Sequence, residues 1–208
     1  MLRIWGRANS VNVQKVLWCC EELGLPFERI DAGMQYGRNQ DDDYLAMNPN
    51  GRVPTIEDDG FRLWESNSII RYLALQYAPA HPIYPAAPRE RAGMERWLDW
   101  VLTTLQPAER PVFWGYVRTD PADRNAAALA DATEKAGMLW ALLDRHLQGR
   151  RYLEAECFTL ADLVMATYAR RWFGIPEIVR PAMPDLERWY AAMQSRPGFQ
   201  KVVAPPLS

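Results

Sequence analysis

A proline-rich stretch, APAHPIYPAAP at residues 78–88, divides the chain into two parts with different patterns. Its four prolines exclude a helix interior or a central strand, because proline lacks the amide hydrogen and clashes with the preceding helical turn. We interpret this stretch as an interdomain linker. Strand-like and helix-like segments alternate before it, whereas only helical patterns follow it. With 208 residues, 49% of them hydrophobic, the chain is long enough for two units that each bury a core.

The first part opens with a strand–helix–strand pattern. LRIW and FERIDA read as short strands, and the segment between them is a predicted helix with Asn12 as its N-cap and Gly24 just past its end. Pro26 prevents the helix from continuing. The apolar residues of this segment repeat at helical spacing: Val13, Val16, Leu17, Cys20 and Leu23. A unit of about thirty residues with this order predicts two parallel strands.

A hairpin and a second helix are predicted next. VPTIEDDGFRLWES indicates strands at residues 53–57 and 61–64, joined by the turn DDG. ESNSIIRYLALQYA is typical of a helix capped by Ser66. Its predicted buried face comprises Ile69, Ile70, Leu73 and Tyr77. After the linker, helices are predicted over roughly residues 89–117, 122–148, 159–173 and 184–195.

Composition excludes several classes of function. The net charge of −2 and the isoelectric point of about 5.8 give no basic footprint for nucleic acid. No apolar run approaches the roughly 20 residues of a membrane span, so no membrane partner is expected. Three cysteines without an even framework favour the reducing cytoplasm. The two histidines, His81 and His146, form no plausible metal site, so no metal is expected.

Two neighbouring motifs point to a peptide-like ligand. Pro54 begins a predicted strand, so that strand lies either at a sheet edge, the simpler interpretation, or after a cis Val53–Pro54 bond. In the second case Val53 would face outward, and an extended peptide could pair with its main chain. At WESNSII, the helix start at Ser66 could hold a carboxylate while Glu65 holds an ammonium group. Together these residues would hold an amino acid by both charged ends.

NPNGRVPTI followed by LWESNSIIRYL resembles the glutathione-binding half of cytosolic glutathione transferases. The proline linker, the helical second half and FTLADLVMA, with Thr159 and Asp162 at capping-box spacing, fit the same family. Details of the sequence resemble bacterial members near the theta and nu classes. The resemblance covers essentially the whole chain. It implies an α/β thioredoxin-like N-terminal domain (1–78), a linker (79–88), an all-α helical-bundle C-terminal domain (89–208) and a homodimer.

The resemblance also assigns candidate glutathione-binding residues. Val53, beside Pro54, would pair its main chain with the cysteinyl unit, and Glu65 and Ser66 would bind the γ-glutamyl end. In GRNQ, either amide side chain would reach toward the glycyl carboxylate: Asn39 or Gln40. An ordinary solvated loop explains these last two residues equally well.

The loop RANSVN at the start of the first helix is crowded with hydrogen-bonding side chains. Glutathione reacts as a thiolate, and lowering a thiol pKa from about 8.5 to about 6.5 takes roughly 2.7 kcal/mol. Several solutions that the family uses are absent: the first strand does not end in tyrosine, the loop lacks cysteine, and neither Cys-x-x-Cys nor Ser-Ser-Cys occurs. The resemblance then leaves Ser10 and Asn12 as candidate thiolate donors, with a loop hydroxyl and a plain N-cap as the alternatives. Their spacing resembles the nu-class Thr-x-Asn pair, whereas the theta-class serine, counted back from Lys15, would fall nearer Asn9. Arg7 either adds positive potential there or is a surface residue.

The second-substrate pocket is predicted to be aromatic, with core packing as the alternative for each residue. Its candidates are Phe113, Trp114, Tyr116, Trp172 and Phe173. Arg110, Arg118 and Arg171 either favour acidic electrophiles or are solvated. The resemblance thus implies a glutathione transferase that joins the glutathione thiolate to a small electrophile, with glutathione as co-substrate and no other cofactor. A glutathione-dependent disulfide reductase and a non-catalytic binding protein remain alternatives.

Overall fold

A four-stranded mixed sheet lies at the centre of the N-terminal part of the computed structural model, which describes residues 1–208. Its strands are β1 (Leu2–Trp5), β2 (Phe27–Ile30), β3 (Thr55–Asp58) and β4 (Phe61–Trp64). They are ordered β2-β1-β3-β4, with β1 parallel to β2 and β3 antiparallel to both of its neighbours. The predicted parallel pair and the hairpin are confirmed.

Pro54 lies just before β3, and its bond to Val53 is cis. Because β3 pairs with β1 on one side and β4 on the other, the interpretation of this segment as an edge strand is wrong. The strand begins one residue later, at Thr55, so the missing amide hydrogen of Pro54 removes no ladder hydrogen bond.

Two helices, α1 (Val11–Leu23) and α3 (Ser66–Tyr77), pack against each other beside the sheet. The predicted end of α1 is confirmed, since Gly24 adopts the left-handed conformation with φ of 63°. Both predicted N-caps are wrong by one or two positions. Ser10 caps α1 and Glu65 caps α3, so Asn12 and Ser66 lie inside their helices.

One residue of these helices is more exposed than the sequence pattern predicts, and another is more buried. Tyr77 is 42% exposed because its hydroxyl turns outward to donate to Asp58 on β3. Cys19, which the helical pattern places at a partly exposed position, is fully buried because α3 covers that face as well.

Residues 78–87 form neither helix nor strand, as expected for a segment with three prolines, but they are not a free linker, and Pro88 already begins a helix. Ile83 is fully buried and Tyr84 is 7% exposed. The main-chain oxygen of Ile83 accepts a hydrogen bond from the Leu160 N–H at 2.9 Å. This segment is therefore anchored to the helical part of the chain.

Helices make up the remainder of the chain. Their bounds are α4 Pro88–Trp100, α5 Gln106–Phe113, α6 Ala126–His146, α7 Leu160–Gly174 and α8 Pro184–Gln194. Wider π-helical turns at Val101–Leu105 and Trp114–Arg118 extend α5 in both directions, so residues 88–118 are helical throughout. The helices α2 (Asp42–Leu45) and α9 (Pro197–Val202) were not predicted, because four and six residues are too few to show a helical period.

The core is continuous between the two parts. Trp18 of α1 is fully buried, and its ring lies 5.6 Å from that of Phe158 and 5.4 Å from that of Phe199. Eleven of the fifteen residues of α7 are buried, and this helix packs directly against α1. The N-terminus of α1 is therefore held in place by the second part of the chain. None of the helices is both long and apolar enough to cross a membrane.

Candidate functional site

The β1–α1 loop presents unused hydrogen-bond donors at the start of α1. Ser10 accepts the first helical bond, from the Gln14 N–H at 2.8 Å, through its main-chain oxygen. Its hydroxyl makes no capping hydrogen bond, although the residue is only 7% exposed. Asn12, the second residue of the helix, turns Oδ1 toward Lys15 and Ser66 and leaves Nδ2 free to donate. Asn9 differs, because its Nδ2 donates to the Ser208 hydroxyl at 2.8 Å.

A fully buried lysine connects this helix start to the next one. Lys15 Nζ lies 2.9 Å from Asn12 Oδ1 and 3.5 Å from both Ser66 Oγ and Asn67 Oδ1. Its other neighbour is the Tyr168 ring, whose centroid is 5.0 Å away. Burial lowers the pKa of the Lys15 ammonium to about 7, because removing a charged ammonium from water costs more free energy than removing a neutral amine.

The N-terminus of α3 adjoins that of α1. Glu65 is exposed and has a φ of 72°, a conformation that residues other than glycine rarely adopt outside functional sites. Ser66 is 4% exposed, and its hydroxyl lies 3.4 Å from Asn12 Oδ1. Two helix starts, each with unpaired main-chain N–H groups and partial positive charge, therefore face the same place. Such a place suits an anion.

A network of polar side chains holds the segment before β3 in place through hydrogen bonds. The Tyr44 hydroxyl donates to the Arg52 main-chain oxygen at 2.6 Å and lies 2.8 Å from Thr55 Oγ1. Asn48 Nδ2 donates to the same two acceptors at 2.8 and 3.0 Å. Between them, the Val53 N–H and C=O have no hydrogen-bond partner in the chain. An extended ligand can pair with this exposed main chain.

Replacing Tyr44 by phenylalanine is expected to lower the free energy of unfolding by about 2 kcal/mol, because two hydrogen bonds, to the Arg52 main-chain oxygen and to Thr55 Oγ1, are lost while Asn48 still contacts both groups. Urea unfolding would measure this. Tyr36→Phe is the matched control, since Tyr36 is 45% exposed. Equal stability of the two variants would contradict the role given to this network.

The amide side chains of Asn39 and Gln40 both donate to the Gly51 main-chain oxygen, at 2.6 and 3.2 Å. The structure thus brings them to the loop that carries Val53. Their role toward a glycyl carboxylate stays a prediction.

A cationic wall closes the site on the side of the helical part. Arg171 of α7 lies over the Phe113 ring, with Cζ 3.8 Å from the centroid, and Arg118 is 5.5 Å from the same centroid. Glu109 is buried, and its Oε2 lies 3.5 Å from Arg171 Nη1, long for a hydrogen bond. Burial raises the pKa of the Glu109 carboxyl to about 7, and Arg171 opposes this rise. Burial lowers the pKa of the Arg7 guanidinium, and the charges of Arg118 and Arg171 lower it further, so we group Arg7 with the same wall.

The five aromatic candidates do not form one pocket. Phe113 and Trp114 lie beside Arg118 at the wall just described. Tyr116 and Trp172 instead line a cleft of about 550 Å³ next to α6. Phe173 stacks on Tyr190, with centroids 4.7 Å apart. Among the arginines, Arg110 is exposed and lies over Trp114.

Sequence reasoning missed the residues that position this site. They are Lys15, Tyr44, Asn48, Thr55, Asn67 and Glu109. Lys15 had one local signal, since a lysine stands between Val13 and Val16 on the apolar side of α1. The other residues read as ordinary polar positions, because their partners lie on other elements.

Comparison with known proteins gives consistent results. Residues 1–75 match the family model "Glutathione S-transferase, N-terminal domain", and residues 97–197 match "Glutathione S-transferase, C-terminal domain". "Glutathione S-transferase GstB" of Escherichia coli (strain K12) is 42% identical, with 100% of each chain covered. "Glutathione S-transferase 3" of Zea mays is 32% identical, over 98% of this chain and 93% of its own.

A solved structure of similar size superposes closely. The theta class glutathione S-transferase from Xanthomonas axonopodis pv. citri, with glutathione bound, has a TM-score of 0.95 and 45% sequence identity. The match covers 100% of this chain and 99% of the other.

Proposed function

The chain belongs to the glutathione S-transferase family, and on that premise we propose which of its residues bind glutathione and activate its thiol. The observation that carries the proposal is the pair of free donors at the start of α1, the Ser10 hydroxyl and Asn12 Nδ2. Together with the helix N-terminus, these donors stabilise a sulfur anion more than a neutral thiol. The thiolate then attacks a small electrophile, and catalysis rests on orientation and on electrostatic stabilisation of the sulfur.

The three parts of glutathione are assigned to three places. The γ-glutamyl carboxylate lies at the N-terminus of α3, held by the Ser66 hydroxyl and main-chain N–H groups, while Glu65 pairs with the ammonium group. The cysteinyl unit pairs with the free main chain of Val53, which Pro54 directs outward. The glycyl carboxylate is held by an amide N–H of Asn39 or Gln40, both of which lie within reach of Gly51.

Removing the donors tests the assignment. We expect the pKa of bound glutathione to lie about two units below that of the free thiol, and Ser10→Ala or Asn12→Ala to restore at least one of those units. Thiolate ultraviolet absorbance titrated against pH measures the pKa, and calorimetry shows whether glutathione still binds. Ser195→Ala, an exposed serine at the end of α8, is the control and should leave the pKa unchanged.

Each result of this titration has a distinct meaning. If one substitution raises the pKa while binding survives, that residue is the donor. If glutathione binds to the wild type with an unshifted thiol, Ser10 and Asn12 are only cap and helix residues, and the non-catalytic binding protein is favoured. If both variants keep the shifted pKa, the donors lie elsewhere in the site.

The Ser-x-Asn pair would serve glutathione-dependent disulfide reduction equally well, because both reactions need the same thiolate. Turnover of a glutathione mixed disulfide, compared with turnover of a haloaromatic electrophile by the same preparation, separates the two. Faster reduction of the disulfide would replace conjugation as the main activity.

We further propose a homodimer in the cytoplasm, where glutathione is kept as a thiol. Gel filtration should give about twice the 23.9 kDa of one chain, and an apparent mass near one chain would contradict the dimer.

Residues 1–78 and 89–208 are proposed as the two domains, with residues 79–88 between them. Limited proteolysis that cuts first within residues 79–88 would support this division.

A further inference from the structure

Three arginines from separate parts of the chain meet beside the proposed thiolate position. Arg7 lies in the β1–α1 loop, Arg118 ends the helical run that follows α5, and Arg171 lies in α7. Arg118 and Arg171 share the Phe113 ring, at 5.5 and 3.8 Å from its centroid. Arg7 reaches the same loop as Arg118, since a Cβ on Gly33 would lie 3.3 Å from Arg7 Nη1 and Arg118 donates to the next residue, Met34.

Carboxylates of the chain match the three charges of this arginine cluster only in part. One contact is Glu109, which lies 3.5 Å from Arg171. Arg118 donates to Met34 Sδ at 2.7 Å and, at 2.6 Å, to a carboxyl oxygen of Ser208, the last residue. The Nε atoms of Arg7 and Arg118 are buried and have no hydrogen-bond partner. Buried donors are normally paired, so these atoms call for a ligand that accepts hydrogen bonds.

The arginine cluster is also next to the proposed glutathione site. A Cβ built on Gly33 would lie 3.3 Å from Arg7 Nη1 and 3.5 Å from the Val53 methyl groups, so Arg7 and Val53 flank the same small space. The main-chain oxygen of Arg7 accepts from the Ser10 N–H at 3.2 Å, which fixes Arg7 relative to the proposed thiolate donor. An anion held by the arginines would therefore lie beside the sulfur.

We propose that Arg7, Arg118 and Arg171 bind a carboxylate on the second substrate, and that the preferred electrophiles are carboxylate-bearing organic halides. This inference rests on the proposed glutathione site. In the reaction, the thiolate sulfur attacks the carbon that bears the halogen, so that a C–S bond forms and the carbon–halogen bond breaks. Halide leaves with the bonding electron pair, and the thiol proton has already passed to solvent.

A matched pair of electrophiles isolates the effect of charge. 4-(Bromomethyl)benzoate and 4-(bromomethyl)benzamide are nearly the same size, and both offer a ring to the exposed face of Trp114, which lies beside Arg118. With the uncatalysed rate subtracted, we expect kcat/KM for the benzoate to exceed that for the benzamide about tenfold. The preference should shrink as salt is added, because salt screens the arginines.

Arginine variants test which residues carry the preference. Arg7→Gln and Arg118→Gln should each lower kcat/KM for the benzoate about tenfold, mainly through KM, and change the benzamide less than twofold. Arg89→Gln removes the same charge from an exposed position at the start of α4 and should change neither. We avoid Arg171 as the first target, because its loss would leave Glu109 buried without its partner.

A binding measurement separates failure of this inference from failure of the proposed function. Calorimetry compares the two products, S-(4-carboxybenzyl)glutathione and S-(4-carbamoylbenzyl)glutathione, and needs no turnover. If the benzamide is turned over but neither the benzoate nor its conjugate is preferred, the carboxylate site is overturned and the transferase stands. If neither bromide reacts but the carboxylate conjugate binds about tenfold tighter, the inference holds and the proposed catalysis fails. If the variants weaken glutathione itself and leave the preference intact, the arginines hold a glutathione carboxylate, and the inference is wrong.

Discussion

Replacing Asp162 by alanine is expected to lower the free energy of unfolding by on the order of 3 to 5 kcal/mol. Asp162 is fully buried at the start of α7 and accepts four hydrogen bonds. Oδ1 accepts from the Leu153 N–H and from Trp189 Nε1, both at 2.9 Å. Oδ2 accepts from the Thr159 N–H at 3.0 Å and from its hydroxyl at 3.1 Å. Alanine leaves the buried N–H donors without partners, and each such donor costs about 1 to 3 kcal/mol.

Chemical unfolding measures this effect and is run at one protein concentration, because the unfolding of the proposed homodimer would depend on concentration. Asp162→Asn keeps one of the two oxygens and should cost roughly half as much. Asp131→Ala is the control, since it removes an exposed carboxylate paired with Lys135 on α6 and should change stability by less than about 0.5 kcal/mol. An Asp162→Ala protein within about 1 kcal/mol of wild type would contradict this account.

The second large effect is a pH dependence that one residue confers on stability. Burial lowers the pKa of Lys15 to about 7 in the folded protein, whereas an unfolded lysine titrates at about 10.4. Between these values the unfolded chain binds one more proton than the folded chain. The free energy of unfolding therefore rises with pH across this range, by up to about 1.4 kcal/mol per pH unit. Below pH 7 both states are protonated, and the full cost of the buried charge remains.

Lys15→Met removes this dependence and keeps the volume of the side chain. Relative to the variant, the wild type should gain roughly 4 kcal/mol between pH 7 and pH 10, and the variant should be the more stable protein near pH 7. Lys135→Met, at an exposed lysine, is the control and should run parallel to wild type. Urea unfolding across this pH range measures all three. Parallel curves for wild type and Lys15→Met would show that the ammonium is stabilised where it lies.

Lys15→Met should also weaken the proposed glutathione site. The ammonium contacts Asn12 Oδ1 and Ser66 Oγ, so it sets how the Asn12 amide is turned. Without it, Oδ1 loses its donor, and Nδ2 is no longer held toward the proposed thiolate position. A variant that is more stable near pH 7 but binds glutathione with a less shifted thiol pKa would show that Lys15 positions the site at a cost in stability.

Local patterns predicted much of the fold correctly. The parallel strands, the hairpin, the glycine after α1 and the capping box of Thr159 and Asp162 each depend on residues close together in the chain. The N-caps of α1 and α3 were misplaced by two positions and one position, because neighbouring polar residues can cap equally well and only packing selects between them. The motifs around Pro54 and Ser66 were also sufficient to indicate the family, which the comparisons then established.

The sequence by itself therefore determined the order and type of the longer elements, the two-part organisation and the family, because these depend on local spacing and on contiguous motifs. Only the tertiary structure decided how the site is assembled. The Ser66–Asn12 contact joins residues that are 54 positions apart in the sequence. Lys15 is buried because residues of α3 and α7 pack around it. The aromatic candidates separated and the arginines converged for the same reason: burial and charge proximity arise from packing between elements, which no local pattern encodes.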